Sequence, residues 1–299
     1  MSQDMKIWMD GELIAKQDAK ISVFDHCVLY GDGIFEGIRI YDGCVFRLKQ
    51  HLDRLWSSAK YIRLEIPMTY DEMRQAVVAT VQANGLSNGY IRLVVTRGVG
   101  DLGLDPRNCP KPSIFIIAAN ISLYPKSDYE NGLEIITVPT QRFNVSAFNA
   151  RVKSCNYLNN IMAKMEGQLA GVREALMLDH NGFVVECTGD NVFVVKDGVL
   201  YTPPVYLGAL KGITRDAIME IAAREGMVVK EEPFTRFEVY DADELFLTGT
   251  AAEAIPVVKV DGRPIGDGKP GPVTRDLTAR FHALVSSDGE MVYEKAAAK

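Results

Sequence analysis

Residues 150–160 read ARVKSCNYLNN and join an irregular loop to a predicted helix. The loop, 140–152, has little hydrophobic periodicity and leads directly into Lys153. Tyr157 follows four residues later, where the helical pattern of 158–170 begins. Further along the chain, a predicted hairpin carries Glu186 on its second strand. The chain therefore presents an amine, a phenol and a carboxylate in a fixed order.

These three groups match the requirements of pyridoxal phosphate (PLP) chemistry. A lysine amine forms a Schiff base with the cofactor aldehyde, and a phenol can hydrogen-bond the ring oxygen. A carboxylate can hold a proton on the pyridine nitrogen, so that the ring draws electrons. On spacing alone, a solvated lysine near a helix start is the competing interpretation of Lys153.

Length and composition set the frame for this hypothesis. The chain has 299 residues, which at about 150 residues per domain favours two domains. Hydrophobic residues make up 47% and charged residues 24%, a composition typical of globular proteins. The net charge of −6 argues against nucleic acid as a partner, because phosphates select basic surfaces.

The cysteines and histidines indicate neither a disulfide framework nor a metal site. The five cysteines are scattered without a CxxC pair, which is typical of reduced thiols in a cytoplasmic protein. The four histidines form no HxxxH or HExxH pattern, so no metal is expected. Residues 1–11 lack an apolar signal-peptide core, and no run approaches the roughly 20 apolar residues of a membrane span.

Repeated hairpins dominate the predicted secondary structure. Asp-Gly pairs begin at Asp10, Asp42, Asp197 and Asp261, and Asn181-Gly182 is expected to turn in the same way. The predicted hairpins are 6–15, 37–48, 174–187, 191–201 and 256–264, with buried strands at 90–96 and 113–120. So many hairpins argue against an all-parallel sheet.

Helices are predicted at 51–61, 69–84, 158–170 and 214–225. Thr69 and Glu72 form a capping-box pair at the start of the second of these. A polar interval near Pro125 divides the chain into a small N-terminal α/β domain (1–120), a linker (121–132) and a large C-terminal PLP-binding domain (133–299). The terminal 294–299, EKAAAK, is helix-favouring.

The order of several short motifs identifies a family resemblance. The motifs are YGDGIFEGIR (30–39), HLDRL (51–55), YIR (90–92), KSCNYLNN (153–160), Glu186 with NVF (191–193), PP (203–204), GITR (212–215) and TGTAAE (248–253). Together the chain resembles fold-type IV PLP enzymes, and among them branched-chain amino acid aminotransferases. The resemblance implies a mixed α+β fold, with two domains, antiparallel-rich sheets, flanking helices and a cofactor at the domain interface.

The resemblance also implies roles for cofactor-binding residues. Lys153 matches the lysine that binds PLP and shuttles the α-proton, Glu186 the carboxylate facing the pyridine nitrogen, and Tyr157 the partner of the ring oxygen. Arg54 matches the phosphate arginine, and Leu210 an apolar residue packed on the ring. The remaining phosphate ligands that it implies are Ile213, Thr214 and Thr250.

Substrate recognition is implied at a second set of positions. These are Tyr30, Phe35, Arg39, Tyr90, Arg92, Thr250 and Ala251, with Leu104 supplied by a neighbouring subunit. The implied reaction belongs to branched-chain amino acid biosynthesis: a ping-pong transfer of the amino group between L-leucine, L-isoleucine or L-valine and 2-oxoglutarate. The implied partners are these small molecules and further copies of the chain, in a dimer or an assembly as large as a hexamer.

Arg97 departs from the branched-chain pattern. The sequence Thr96-Arg97-Gly98 is similar to that of D-amino acid aminotransferases, in which the arginine meets the substrate carboxylate. Arg97 is therefore a candidate substrate residue, or a structural residue that pairs with Asp101 or Asp105.

Other functions remain open from the sequence. A D-amino acid aminotransferase, an aminodeoxychorismate lyase or a non-catalytic ligand-binding protein on this fold would keep many of the same motifs. The loop Gly31-Asp32-Gly33 is a poor match for a nucleotide-binding module, because it lacks the spacing G-x-G-x-x-G and no Walker lysine follows.

Overall fold

The computed structural model describes residues 5–121 and 124–293. Within them the chain forms two compact units. The first contains 5–121, 152–156 and 284–293, and the second contains 124–151 and 157–283. The predicted tail at 294–299 lies outside the described residues.

The first unit is built on an antiparallel sheet whose strands differ in length. Its strands are Lys6–Met9 (β1), Glu12–Ala15 (β2), Gly33–Tyr41 (β3), Cys44–Phe46 (β4), Gly89–Thr96 (β5), Ser113–Ala119 (β6) and Gly289–Met291 (β16). Their spatial order is β16-β4-β3-β5-β6-β1-β2. The longest pairing joins β3 to β5 from Gly33↔Thr96 to Ile40↔Gly89, and this register positions four of the predicted substrate residues.

The helices of this unit are His26–Tyr30 (α1), Leu48–Tyr61 (α2) and Tyr70–Ala83 (α3). Helix α2 buries Leu48, Leu52 and Leu55, whose spacing places them on one face. Helix α3 begins with the predicted capping box: Glu72 accepts from the Thr69 backbone N–H, and Thr69 Oγ1 accepts from the Glu72 N–H.

The second unit contains a larger, mixed sheet. Its strands are Leu133–Thr137 (β7), Glu174–Leu178 (β8), Val184–Cys187 (β9), Asn191–Lys196 (β10), Val199–Thr202 (β11), Val229–Glu231 (β12), Glu244–Gly249 (β13), Glu253–Val260 (β14) and Arg263–Pro264 (β15). The order is β12-β11-β10-β13-β14-β7-β8-β9, with β15 beside β14. Antiparallel pairs dominate, but β7 runs parallel to both β8 and β14.

The remaining helices are Lys126–Asn131 (α4), Leu158–Leu169 (α5), Ile213–Arg224 (α6), Arg236–Tyr240 (α7) and Pro272–Leu284 (α8). The core of the second unit is an aliphatic cluster around Leu176, Val192 and Leu247. Helix α8 was not predicted. Its first-turn amides, Val273 and Thr274, donate to the carboxylate of Glu244, which comes from a distant strand.

The two units differ from the predicted division at two places. Residues 152–156 belong to the first unit because Ile34 and Ser154 form an isolated antiparallel bridge. The C-terminal residues 284–293 also belong to it, because β16 pairs with β4. A boundary drawn from composition alone could not detect either return of the chain, since both depend on strand pairing between distant segments.

The predicted turns form, with one exception. Asp10, Asp42, Asp197 and Asp261 all have positive φ, and each is followed by a positive-φ glycine, as a two-residue hairpin requires. At 181–182 only Gly182 has positive φ. There the Asp179 carboxylate accepts from the N–H groups of Asn181 and Phe183, which holds a wider loop.

Candidate active site

Lys153 lies on a short extended segment beside the start of β3. Its backbone N–H donates to Ser58 Oγ at 3.2 Å, and its carbonyl accepts from the Phe35 N–H at 2.9 Å. The side chain is half-buried, with Nζ 4.6 Å from the centroid of the Phe35 ring. Backbone bonds on both sides of Lys153 therefore fix the base of the side chain, and the ring supports the amine.

Arg54 is positioned by a buried carboxylate on the opposite face of β3. Arg54 Nε and Nη2 donate to the two oxygens of Glu36 at 2.8 and 2.7 Å, and Glu36 Oε2 lies 2.7 Å from His51 Nδ1. The Glu36 side chain is fully buried. Burial by itself would raise the pKa of Glu36, but Arg54 and His51 lower it to about 2. The predicted phosphate arginine is thus held rigidly in a bidentate fork.

Four of the predicted substrate residues share one face of the sheet. Phe35 and Arg39 are four positions apart on β3 and therefore point to the same face. On β5, Arg92 lies opposite Gly37 and Tyr90 lies opposite Arg39. The Arg92 guanidinium lies 4.5 Å from the Phe35 ring centroid and donates to the Tyr90 hydroxyl at 3.1 Å. A Cβ at Gly37 would overlap that hydroxyl, so glycine is required there. This face combines aromatic surface with guanidinium groups.

Tyr30, the last residue of α1, and Leu104, on the loop after β5, are two further predicted substrate residues. The Tyr30 hydroxyl donates to the carbonyl of Leu102 at 2.5 Å, which ties helix α1 to the loop after β5. Leu104 is 78% exposed and Leu102 is 69% exposed. Among the described residues of this unit, Leu104 is the most exposed large apolar side chain.

The Arg97 guanidinium donates four hydrogen bonds within the first unit. Its Nε and Nη2 donate to the Asp32 carboxylate at 2.8 and 3.0 Å, and Nη1 and Nη2 donate to the carbonyls of Arg63 and Ile62, each at 2.8 Å. The predicted alternative partners, Asp101 and Asp105, are wrong: Asp105 instead pairs with Arg107. Because four of the five guanidinium N–H groups are used, Arg97 has a structural role in this arrangement.

In the second unit, Glu186 on β9 is buried and paired. Its Oε1 lies 2.8 Å from Arg142 Nη2, and its Oε2 accepts from the Leu210 backbone N–H at 2.9 Å. Arg142 Nη1 donates in turn to Asn160 Oδ1 at 2.8 Å. Glu186 and Arg142 are each more than nine-tenths buried. Arg142 therefore compensates the charge of Glu186 and orients its carboxylate.

The N-terminus of α6 is a second feature of this unit. Ile213 and Thr214 are its first two residues, and the N-cap Gly212 has no side chain to accept from their N–H groups. Asn191 donates to the Leu210 carbonyl at 2.9 Å and pairs with Thr248 on β13. A side chain at Gly212 would overlap Asn191, so glycine allows this close approach.

The turn between β13 and β14 carries the other predicted phosphate ligand. Thr250 and Ala251 occupy this turn and are partly exposed. Two residues earlier, the buried Thr248 Oγ1 has no hydrogen-bond partner within the described part of the chain. Tyr157 is half-buried at the N-cap of α5, where its carbonyl accepts from the Ile161 N–H at 2.9 Å.

These donor and acceptor groups fit PLP. The half-buried amine of Lys153 suits an aldehyde, and the charge-compensated carboxylate of Glu186 suits a protonated pyridine nitrogen. The uncapped start of α6 and the unpaired hydroxyl of Thr248 suit a phosphate group. Each part of the cofactor therefore has a matching residue type in this chain.

Sequence reasoning missed the residues that orient the predicted ones. Glu36 and His51 stand in quoted motifs, but no role was assigned to them. Arg142 lies in the loop that was described only as irregular. A charged residue inside an otherwise apolar strand, as in GIFEGIRIY, was the one available signal for Glu36.

Among the described residues, no group of three or more His, Cys, Asp or Glu side chains could hold a metal ion. The helices in this part of the chain also lack the combined length and hydropathy that a membrane crossing requires.

The chain matches known proteins over almost its full length. The family model for amino-transferase class IV matches residues 33–260. A relative from Methanocaldococcus jannaschii is 53% identical over 291 residues, which are 97% of this chain and 100% of the relative. The branched-chain-amino-acid aminotransferase of Pseudomonas aeruginosa is 42% identical and covers 96% of this chain and 95% of its own length.

Solved structures give the same result. The Escherichia coli branched-chain amino acid aminotransferase has a TM-score of 0.92 and 37% identity, covering 95% of this chain and 96% of its own. The Thermobaculum terrenum enzyme, solved in its PLP form, has a TM-score of 0.87 and 30% identity, with 96% of each chain covered. The predicted mixed α+β fold of fold-type IV enzymes is confirmed. The chain therefore belongs to the class IV aminotransferases, in the branched-chain amino acid aminotransferase family.

Proposed function

We propose that this chain transfers the amino group of L-leucine, L-isoleucine or L-valine to 2-oxoglutarate, giving branched-chain 2-oxo acids and L-glutamate in a ping-pong cycle with PLP. The family comparisons confirm branched-chain amino acid aminotransferase activity and PLP as predicted, and the acceptor and the ping-pong cycle are consistent with them. The observation that carries the proposal is the supported amine of Lys153, 4.6 Å above the Phe35 ring on a sheet face that also bears Arg92.

The residue roles follow from their chemistry. When bound, PLP supplies an electron-withdrawing ring that carries the amino group between the two substrates. Lys153 Nζ holds the cofactor and then moves the proton of the substrate α-carbon. Glu186, oriented by Arg142, holds the proton on the ring nitrogen. Tyr157 hydrogen-bonds the ring oxygen, and Leu210 packs on the ring.

The phosphate is held by charge and by backbone amides. Arg54 contributes a guanidinium whose orientation is set by Glu36. Ile213 and Thr214 contribute the N–H groups at the start of α6, where the helix dipole also favours an anion. Thr250 adds a hydroxyl group.

Substrate recognition requires one surface that accepts an apolar side chain and also the second carboxylate of glutamate. The face formed by Phe35, Arg39, Tyr90 and Arg92 offers both aromatic and cationic groups. Tyr30 at the end of α1 and Leu104 of a neighbouring subunit add apolar surface, and the backbone of Thr250 and Ala251 supplies N–H groups for the α-carboxylate. These assignments support a branched-chain substrate.

The bonding of Arg97 favours L over D substrates. In the D-amino acid alternative this arginine would meet the substrate carboxylate, but here its guanidinium is used by Asp32 and two backbone carbonyls. The decisive experiment is a panel of L and D amino donors with 2-oxoglutarate as acceptor. We expect turnover of L-leucine, L-isoleucine and L-valine; faster turnover of a D-amino acid would contradict the proposal.

Lys153→Ala tests the catalytic assignment directly. We expect it to abolish transamination and the absorbance of the lysine-bound cofactor, while the far-UV circular dichroism stays unchanged. Lys60→Ala, which removes an exposed lysine from α2, is the matched control and should retain activity. Turnover of the Lys153 variant near that of the unmodified enzyme would overturn the assignment, whereas absence of turnover in the unmodified protein would favour a non-catalytic ligand-binding protein.

We also propose that the chain assembles as a homodimer or a larger oligomer, up to a hexamer. Helix α5 exposes an apolar stripe formed by Leu158, Ile161, Met162, Met165 and Leu169. Such a stripe is costly in water, and it is typical of a surface that another chain covers. A light-scattering mass equal to one active chain would contradict this. We further propose a cytoplasmic location, because all five cysteines are free thiols in this structure.

A further inference from the structure

Two cysteines from distant parts of the sequence meet at the start of β3. Cys27 is in α1, and Cys155 follows Lys153 by two residues. A Cβ placed on Gly33 would lie 2.9 Å from Cys27 Sγ and 3.2 Å from Cys155 Sγ. The absence of a side chain at Gly33 therefore leaves a space that both sulfurs share.

Backbone hydrogen bonds fix the two cysteines in this arrangement. The Cys155 N–H donates to the Gly33 carbonyl at 2.8 Å, and the Cys27 N–H donates to Asp25 Oδ1 at 2.8 Å. Asn156 Nδ2 also donates to the carbonyl of Gly31, which is the C-cap residue of α1. The segment that carries Cys155 is thus hydrogen-bonded to both ends of the connection between α1 and β3.

The two thiols are chemically unequal. The neighbouring Cys27 thiol lowers the pKa of Cys155. The positive charge of Arg92 acts in the same direction. The pKa of Cys27 is raised by the adjacent Cys155 and by burial. Cys155 is therefore the nucleophile of the pair, and Cys27 is the adjacent thiol that can resolve it.

The pair also differs from the other cysteines in accessibility. Cys27 and Cys155 are partly exposed, whereas Cys44, Cys109 and Cys187 are buried. Oxidation of a thiol requires both thiolate character and access to the oxidant. Only Cys155 and Cys27 combine partial exposure with a neighbouring thiol among the cysteines, all of which lie in the described residues.

We propose that Cys27 and Cys155 are a modification site at which a small-molecule disulfide, such as oxidised glutathione, installs a reversible intramolecular disulfide that inhibits the enzyme. The Cys155 thiolate attacks one sulfur of the oxidant and forms a mixed disulfide, releasing one reduced thiol. The Cys27 thiol then loses its proton and attacks Cys155 Sγ, releasing the second reduced thiol. Two cysteine thiols are oxidised and one external disulfide is reduced.

Inhibition follows from the position of Cys155. A disulfide brings its sulfurs to about 2.05 Å, closer than any hydrogen-bonded pair of thiols. The movement is transmitted through one residue to Lys153, whose backbone bonds to Ser58 and Phe35 set the position of its amine. A displacement of about 1 Å at a reacting group can cost up to about 100-fold in rate. This part of the inference depends on the proposed function of Lys153.

The test uses the purified, PLP-loaded enzyme incubated with oxidised glutathione and then with dithiothreitol. We expect a mass loss of about 2 Da, a decrease from five titratable thiols to three, and one linked peptide pair containing Cys27 and Cys155. Transamination should fall by at least about ten-fold and recover on reduction. Cys27→Ser and Cys155→Ser should each prevent the linkage.

The mass measurement tests formation of the disulfide, and the activity measurement tests inhibition, so the two claims can be refuted separately. Five remaining thiols, a stable glutathione adduct without linkage, or a linkage between other cysteines would overturn the proposal. Formation of the Cys27–Cys155 bond without loss of turnover would overturn the inhibition. If the reduced enzyme has no transaminase activity, the proposed function fails, and the peptide map still decides whether the disulfide forms.

Discussion

Glu36 in the first unit and Glu186 in the second are both buried carboxylates paired with an arginine, yet their roles are opposite. Glu36 uses its two oxygens to hold Arg54 and His51. Glu186 is itself held, by Arg142 and by the Leu210 N–H. In the proposed roles, Arg54 binds the cofactor phosphate and Glu36 orients Arg54, whereas Glu186 faces the ring nitrogen and Arg142 orients Glu186.

The comparison shows that a charged group in such a site requires a second, opposite charge that does no chemistry. An unpaired ion in a buried position would be strongly destabilising, and its side chain would be free to choose several orientations. The pairing satisfies both requirements at once. The proposed role of each charged residue therefore depends on the group that it contacts in the site, and its orientation is fixed by the oppositely charged residue that pairs with it.

Glu36→Gln should give the largest effect. It leaves the Arg54 charge without its buried partner, so we expect a loss of about 3–5 kcal/mol in the free energy of unfolding. Urea denaturation of the apoenzyme measures this loss. PLP titration should also show weaker binding, because Arg54 is no longer oriented. Unchanged stability together with unchanged PLP affinity would contradict the proposal that Glu36 orients Arg54 for cofactor binding.

Glu186→Gln tests the opposite assignment. The neutral amide cannot hold a proton on the ring nitrogen, so we expect kcat to fall by about 100-fold, comparable to the loss of one preorganised electrostatic group. Steady-state kinetics with L-leucine and 2-oxoglutarate measure this. Glu174→Gln is a control, since Glu174 is another buried carboxylate of this unit. An equal loss of kcat in both variants would refute a specific role for Glu186.

Asp190 sharpens the comparison because it faces another carboxylate. Burial and the charge of Glu174 raise its pKa to about 7, whereas the arginine-paired Glu36 has a pKa of about 2. The folded state therefore holds the Asp190 proton more tightly than the unfolded chain does. Its contribution to stability is complete below the ordinary pKa of 3.8 and is lost as the pH rises through about 7.

Asp190→Asn should remove this pH dependence. At pH 8 we expect the variant to be more stable than the unmodified protein by roughly 2 kcal/mol, with the difference shrinking toward pH 4. Thermal unfolding measured from pH 4 to pH 8 provides the test. A stability difference that is constant with pH would mean that Asp190 does not titrate in this range.

Lys49→Ala should give the smallest effect. Lys49 pairs with Asp53 at 2.7 Å on the helix that carries Arg54, but the lysine is 77% exposed. Because exposed ion pairs are screened by water, we expect a change below about 0.5 kcal/mol in the free energy of unfolding. A loss as large as that of Glu36→Gln would show that burial is not what separates the two pairs.

Local features were predictable from sequence to the extent that their causes were local. The Asp-Gly turns and the capping box of α3 depend on residues within four positions of each other, and all of these formed. The partner of Arg97 could not be predicted in this way. Asp32 lies 65 residues away, and the two meet only because β3 and β5 pair in one particular register.

The sequence by itself determined the family, the cofactor and the residue types of the site, because motifs such as YGDGIFEGIR and GITR consist of consecutive residues and can be recognised without the fold. It also determined which residues can turn or cap, since those are properties of single side chains. The tertiary structure alone decided which charges face each other: Glu36 with Arg54, Arg142 with Glu186, and Glu244 with the start of α8. The physical reason is that a buried charge is tolerated only beside a partner of opposite sign or aligned N–H groups, and sheet register and helix packing bring those partners together from distant positions.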